Sequence, residues 1–262
     1  MRTLITSILL LVASVVFGQD QFGDLTDINI WVKYTDPLSI GLIGWWPMNE
    51  GSGVTINDVS TSGNVGYLTN AVWVTPGRPG QAKALSFTNA QSAYVNVADS
   101  ATFPSPWGAG TVSFWVNLPL PTTSYGLVCK GNPISGSGFN SLGGYATSST
   151  FYGTVLGSAS QYNALSIVIG AVPVNTWFFV TYVWDAVAQV RSMYTNGVVA
   201  TSFSSSVYTP TPAGLPWRFG CGSTGTGPAI GTPANFATCI MNDVRVYNRA
   251  LNAGEVATLY TR

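Results

Sequence analysis

Residues 111–117 read TVSFWVN, with apolar and polar positions alternating at the period of two that a strand with one wet and one dry face requires. Residues 177–184, WFFVTYVW, are aromatic or β-branched almost throughout, the composition of a central strand covered on both faces. Two further strand-like runs, 190–195 and 198–203, flank Asn196-Gly197. That dipeptide supplies the two positive-φ residues of a tight two-residue turn, so a hairpin is predicted there. The stretches 131–149 and 220–235 are rich in Gly, Ser and Pro and read as long loops. Many short strands between turn-rich loops predict an all-β fold, an antiparallel two-sheet jelly-roll sandwich.

One short helix is predicted, at the C-terminus. Asn252 can cap it, Glu255 stands at the third helical position to complete a capping box, and Leu251 can staple onto Val256. Val256 and Leu259 then form the stripe that packs on a sheet. Glu255 therefore has a structural task and is set aside from any chemistry. At the other end, residues 1–18 carry one early positive charge, Arg2, an apolar run from Leu4 to Phe17, and small residues at Val16 and Gly18. This suits a secretory signal peptide cleaved after Gly18, and the run is short for a membrane span; a retained anchor is the other reading. Residues 19–40 form an extension in which Ile28, Ile30, Val32 and Tyr34 alternate with Asn29, Trp31 and Lys33, a strand signal outside the main domain of 41–262.

Charge changes the picture by exclusion. Only 8% of residues are charged, Lys and Arg balance Asp and Glu at ten each, and histidine is absent. No basic patch exists to neutralise nucleic-acid phosphates. Without histidine there is no Ser-His-Asp or Cys-His nucleophile chemistry and the commonest zinc ligand is missing. An uncharged surface of Ser, Thr, Asn, Gln and Gly also lacks the repulsion that opposes self-association. Behind a signal peptide, Cys129, Cys221 and Cys239 are expected in an oxidising compartment. Cys221 and Cys239 flank one loop and are predicted to form a disulfide between the strands on either side, leaving Cys129 over.

An ordered set of segments then resembles a known family. GLIGWWPMNEGSG, INDVSTSGNVGYLTNAVWV, ALSFTNAQSAYVNVADSATF, GTVSFWVNL, NTWFFVTYVWD, SMYTNGVVATSF, WRFGCG and MNDVRVYNRALNAGEVATLY follow one another across 41–262. Together they are similar to the laminin-G-like, concanavalin A-like lectin/glucanase jelly-roll domains. The resemblance implies that the first and last strands lie side by side, bringing Asn49-Glu50 near Asn242-Asp243. It also implies a rim site for a structural calcium, for which Asn49, Glu50, Asp58, Asn64 and Asp243 supply oxygens. Many members of the family carry an acid where this chain has Asn49 and Asn242, which weakens such a site. Asp58 and Asn64 bracing their own turn is the alternative.

Glycoside hydrolases share this fold and use paired carboxylates across the scissile bond. The chain has two glutamates, Glu50 and Glu255, and no strand bearing a Glu-x-Asp-x-x-Glu spacing, so no enzyme is expected. Carbohydrate binding is the family's commonest activity, resting on aromatic faces and neutral polar groups. Trp107, Tyr125, Tyr145, Tyr152, Tyr162 and Trp217 lie in or beside the predicted loops and are the candidate ligand platform, whereas Trp46, Phe114, Phe179 and Tyr247 are assigned to the core. The reading is a secreted, extracellular or cell-surface module for glycan binding or adhesion to a cell-surface polymer. The alternative is a self-assembling component of a matrix, fibre or virion surface, joined through residues 27–35 added to a neighbour's sheet edge.

Overall fold

The computed structural model describes residues 36–119, 125–131, 142–147, 150–156, 162–168, 174–204, 207, 209–224 and 231–262. The predicted leader, the 27–35 strand and the centres of both long loops lie outside these residues. Pro37–Arg262 form one compact unit.

In chain order the strands are β1 (Leu42–Trp46), β2 (Thr55–Ile56), β3 (Gly66–Thr69), β4 (Val72–Val74), β5 (Ala84–Phe87), β6 (Tyr94–Val97), β7 (Ala109–Asn117), β8 (Tyr125–Lys130) and β9 (Leu142–Ala146). There follow β10 (Thr150–Leu156), β11 (Tyr162–Val168), β12 (Phe178–Asp185), β13 (Val190–Thr195), β14 (Val198–Ser204), β15 (Trp217–Phe219), β16 (Gly222–Ser223), β17 (Pro233–Ala234), β18 (Cys239–Tyr247) and one helix, α1 (Ala253–Tyr260). The first sheet runs β14-β13-β12-β7-β18-β5-β4 with β1 also on β18, and the second runs β11-β10-β9-β8-β15-β6-β3-β2. All pairings are antiparallel, as the alternation predicts. The predicted loops hold more structure than their composition suggests: β9 falls within 131–149, and β16 pairs with β17 within 220–235.

The core lies between the sheets. Val112, Phe114 and Val116 of β7 meet Phe178, Val180, Tyr182 and Trp184 of β12, together with Trp107, Phe151, Trp217 and Phe219. Tryptophans 46, 107, 184 and 217 are all fully buried. Each large aromatic side chain removed from water contributes about 1.5–3 kcal/mol of transfer free energy, so this cluster dominates the hydrophobic term. Small residues make room for it: a Cβ on Gly110 would lie 2.4 Å from the Trp184 ring, and one on Gly153 2.4 Å from Tyr182.

A second apolar cluster covers the opposite face of the first sheet. Trp115, Phe179, Val183, Tyr194 and Tyr247 pack there under Leu251, Val256 and Leu259 of the helix region and Leu38. Both faces of β12 are thus dry, as its composition predicts, and so are both faces of β7, where the alternation of 111–117 predicts one wet face: Thr111, Ser113 and Trp115 lie buried beneath the same cover. The helix forms as expected: Asn252 Oδ1 accepts from Glu255 N at 3.0 Å, and Glu255 Oε2 accepts from Asn252 N at 2.8 Å. Arg249 donates twice to Glu255 and also to the carbonyls of Pro37 and Ile40, so the folded unit reaches a few residues upstream of 41. Among the described residues no helix is long and apolar enough to cross a membrane.

The hydrogen bonds from Arg249 hold the Glu255 carboxyl below the usual carboxylate range. A depressed pKa in the folded state stabilises above the unfolded value, about 4.3, and that stabilisation disappears as pH falls through the folded value. Glu255→Gln should therefore lower the urea midpoint at pH 7, and the difference from the native chain should shrink progressively as pH falls below the usual carboxylate range.

Candidate functional site

The two Asn-acid pairs meet where the chain closes. The first part of β18 pairs with β5, Cys239 to Met241 opposite Phe87 to Leu85, and its later part pairs with β1, Val244 to Tyr247 opposite Trp46 to Leu42. At the change of partner β18 bulges between Asn242 and Arg245, with Asp243 at a φ of 55°. The bulge turns Asn242 into the gap between the end of β1 and the start of β5. There its Nδ2 donates to the carbonyls of Pro47 (2.9 Å), Met48 (3.2 Å) and Lys83 (3.1 Å).

Asp243 is saturated. Its Oδ1 accepts from Trp45 Nε1 at 2.7 Å and Arg245 Nε at 2.9 Å, and its Oδ2 from Arg245 Nη2 at 3.0 Å and Arg78 Nη2 at 3.3 Å. Arg78 also donates from Nε to Asn242 Oδ1 at 3.2 Å. The guanidiniums stack on aromatic faces, Arg245 4.3 Å from the Trp45 ring centre and Arg78 4.9 Å from that of Trp115. Burial pushes the Arg78 guanidinium down, an effect opposed by Asp243. Two buried cations and one buried anion are thus mutually compensated, which is what makes their burial tolerable.

The other oxygens expected to bind calcium are also engaged or apart. Asp58 accepts from the backbone N–H of Trp45, Ser60 and Asn64, at 2.8, 2.9 and 2.8 Å. Asn64 reaches Ile43 O, Thr102 and Ser100. These two brace their loop against β1. Asn49 is exposed, and Glu50 uses Oε1 to accept from Asn57 N at 2.7 Å. Among the described residues no group of three or more Asp, Glu, Cys or His could hold a metal. The donor set does not fit a calcium ion, because the carboxylates of Asp58 and Asp243 already face N–H donors and guanidiniums and are not gathered with Glu50 into one cluster.

The predicted aromatic platform divides. Trp107 and Trp217 are fully buried in the core, and Tyr125 is 4% exposed there, contrary to their expected place on a loop rim. The reason is topological: Trp217 lies on β15 in the middle of the second sheet, and Trp107 stacks edge-on to it at 6.0 Å. Tyr145 and Tyr152 are instead brought together. They stand directly opposite on β9 and β10, with ring centres 4.7 Å apart and planes within 10°. Their sequence neighbours Ala146 and Phe151 point into the core, so the pair lies on the sheet's outer face. Tyr162 begins β11, and its side chain is outside the described residues.

Beside the tyrosines runs the small β16-β17 hairpin. A Cβ on Gly126, which faces Tyr145 across β8, would lie 2.4 Å from Gly222 N, so the hairpin backbone lies against the sheet there. Arg218, 4% exposed, holds the hairpin by donating to Ser223 Oγ and to Gly231 O. Sequence reasoning missed Arg78, Arg218 and Arg245; a charged residue inside an otherwise apolar strand, as in DVRVY and WRF, was the available signal.

The predicted Cys221–Cys239 disulfide is not formed; all three cysteines are free and buried. The strands flanking that loop belong to opposite sheets, with Cys239 opposite Phe87 in the first and Cys221 following β15 of the second. Burial pushes the Cys221 thiol up to about 12 and those of Cys129 and Cys239 higher still, so they are unreactive as nucleophiles.

Comparison with known proteins follows the same lines. A family profile described as the concanavalin A-like lectin/glucanases superfamily matches residues 89–257. Similar solved structures include the binding domain of Paraclostridial Mosquitocidal Protein 1, at 18% identity and a TM-score of 0.62 over 85% of this chain and 52% of that one. The botulinum neurotoxin serotype G binding domain matches at 15% and 0.62 over 84% and 50%. The binding domain of botulinum neurotoxin DC in complex with SialylT matches at 13% and 0.62 over 86% and 52%. The chain thus spans about half the length of these domains. Among curated proteins there is no match.

Since Asp243 compensates two buried guanidiniums, Asp243→Asn should cost about 3–5 kcal/mol of stability by urea unfolding. A loss below about 1 kcal/mol would show the cluster to be dispensable. The paired sheets, the closure of the first strand on the last and the profile match over most of the chain lead to one assignment: the chain belongs to the concanavalin A-like lectin/glucanase superfamily.

Proposed function

We propose that this chain is a non-enzymatic, secreted glycan-binding module that engages sugar at the Tyr145–Tyr152 pair on the outer face of its second sheet. The observation that carries the reading is the pair itself: two stacked phenol rings outside both apolar clusters. Sugars present C–H faces to such rings and hydroxyls to neutral polar groups, and the 8% charge content suits neutral glycans. Tyr145 is 5% exposed and supports the ring above it, and Tyr152, half-buried, offers the contact. The carboxylates of Glu255 and Asp243 are each held by an arginine, whereas glycoside hydrolysis needs a pair of carboxyls free to act on the scissile bond. That the similar structures are binding domains supports the reading further.

A second reading, self-assembly, is favoured by the edge of the first sheet. β14 is seven residues long and carries no charge, and Val198, Val199 and Phe203 are exposed on it at 68%, 53% and 51%. Native edges are ordinarily shortened or charged to prevent strand addition. β14 would accept a strand from a second copy.

The native chain and Tyr152→Ala should be titrated against a broad polysaccharide panel. Saturable binding that weakens about tenfold in the variant, one aromatic contact's worth, is expected with the unfolding midpoint nearly unchanged. Binding that ignores the substitution, or none at all, would remove the tyrosine pair as the site. For the second reading, Phe203→Asp and removal of residues 19–36, which spares the folded unit from Pro37 onward, should each abolish any polymer seen by light scattering; a native chain that stays monomeric at high concentration refutes it.

A further inference from the structure

The side-chain nitrogen of Asn242, a fully buried residue, has three main-chain carbonyl oxygens within 3.2 Å. An amide nitrogen carries two hydrogens, so three acceptors converge on two donors. The backbone is bent to achieve this. Met48, whose carbonyl is one of the three, has a φ of 54°, a left-handed conformation that residues other than glycine adopt at a cost. Two residues beyond it, Glu50 Oε2 is buried without a hydrogen-bond partner.

Converging carbonyl oxygens are surroundings that a hard divalent cation prefers. The set fails as a cation site at two points only. Where a carboxylate is needed Asn242 presents N–H, and Arg78 stands 3.2 Å from its Oδ1 with a positive charge of its own.

We propose that the Asn242 amide, backed by the Arg78 guanidinium, takes the place of a divalent cation at the join of β1, β5 and β18. Closure of the sandwich is then independent of calcium, and removing both faults together, Asn242→Asp with Arg78→Gln, makes it calcium-dependent. The positive ends of two N–H dipoles hold the three carbonyls together, and Arg78 carries the charge a metal would have brought to Asp243. The inference concerns the fold's closure and stands whether or not the tyrosine pair binds sugar.

The test is thermal unfolding of the full chain and of the double variant Asn242→Asp/Arg78→Gln, each in millimolar calcium and in chelator. The native chain should melt at the same temperature in both. The variant should melt lower in chelator and recover several degrees in calcium, with saturable calcium binding by calorimetry. A native chain stabilised by calcium overturns the proposal whatever the variant does. A folded variant indifferent to calcium also overturns it, because the carbonyls then serve the amide alone. If the variant does not fold directly, refolding with calcium only supports the proposal, and failure in both conditions counts against it.

Discussion

The constraint on which the structure depends is that β18 has to serve two partners in series along one edge. β5 pairs with its beginning and β1 with its end, while β7 runs along the whole of its other side. Two strands meeting end to end leave a gap, and a gap in a buried sheet exposes carbonyls that nothing in the ladder can satisfy. The bulge at Asn242-Asp243 fills that gap by changing direction: Asn242 turns to the carbonyls of Pro47, Met48 and Lys83, and Asp243 turns outward to gather Arg78, Arg245 and Trp45. The first and last strands are thereby joined to the segment that carries Arg78 and Lys83, so closure is cooperative with the rest of the sandwich. A bulge that elsewhere would weaken a strand is here the element that lets one strand complete a sheet.

Around that join the aromatic residues are allotted by face. Residues on the inner faces of β7, β12 and β15 make one continuous core, and those on the outer face of the first sheet make a second beneath the helix. Among the described residues no helix covers the outer face of the second sheet. It carries the β16-β17 hairpin, tied down by Arg218, and the Tyr145–Tyr152 pair next to it. A module with one face closed by its own helix and the other floored by paired rings has a direction, and the proposed binding lies on the second face.

Part of this was readable without coordinates. The strand at 111–117, the two dry faces of 177–184, the Asn-Gly hairpin and the capping box of the terminal helix all follow from local periodicity and turn chemistry and stand where their residues imply, but the face of 111–117 expected to be wet is buried in the second apolar cluster. The tyrosine pair was half legible: Tyr145 and Tyr152 stand symmetrically about 148–149 in YATSSTFY, the arrangement that places two residues opposite one another in a hairpin, yet that stretch reads as loop by composition. Strand content in Gly- and Ser-rich segments is hidden because there the pairing partner, rather than intrinsic preference, supplies the order.

The sequence by itself determined the class of fold, the helix and its caps, and the chemistries excluded by the absence of histidine and of paired glutamates. Only the tertiary structure decided which aromatics are buried and what each carboxylate faces. Trp107 and Trp217 became core, and Asp58 and Asp243 became partners of N–H groups and guanidiniums in place of a metal. The same decision left Cys221 and Cys239 as separate thiols. The reason is range: periodicity and capping act over a few residues along the chain, whereas the partners of Asp243 lie 165 and 198 positions away at Arg78 and Trp45 and meet it only when the first and last strands close.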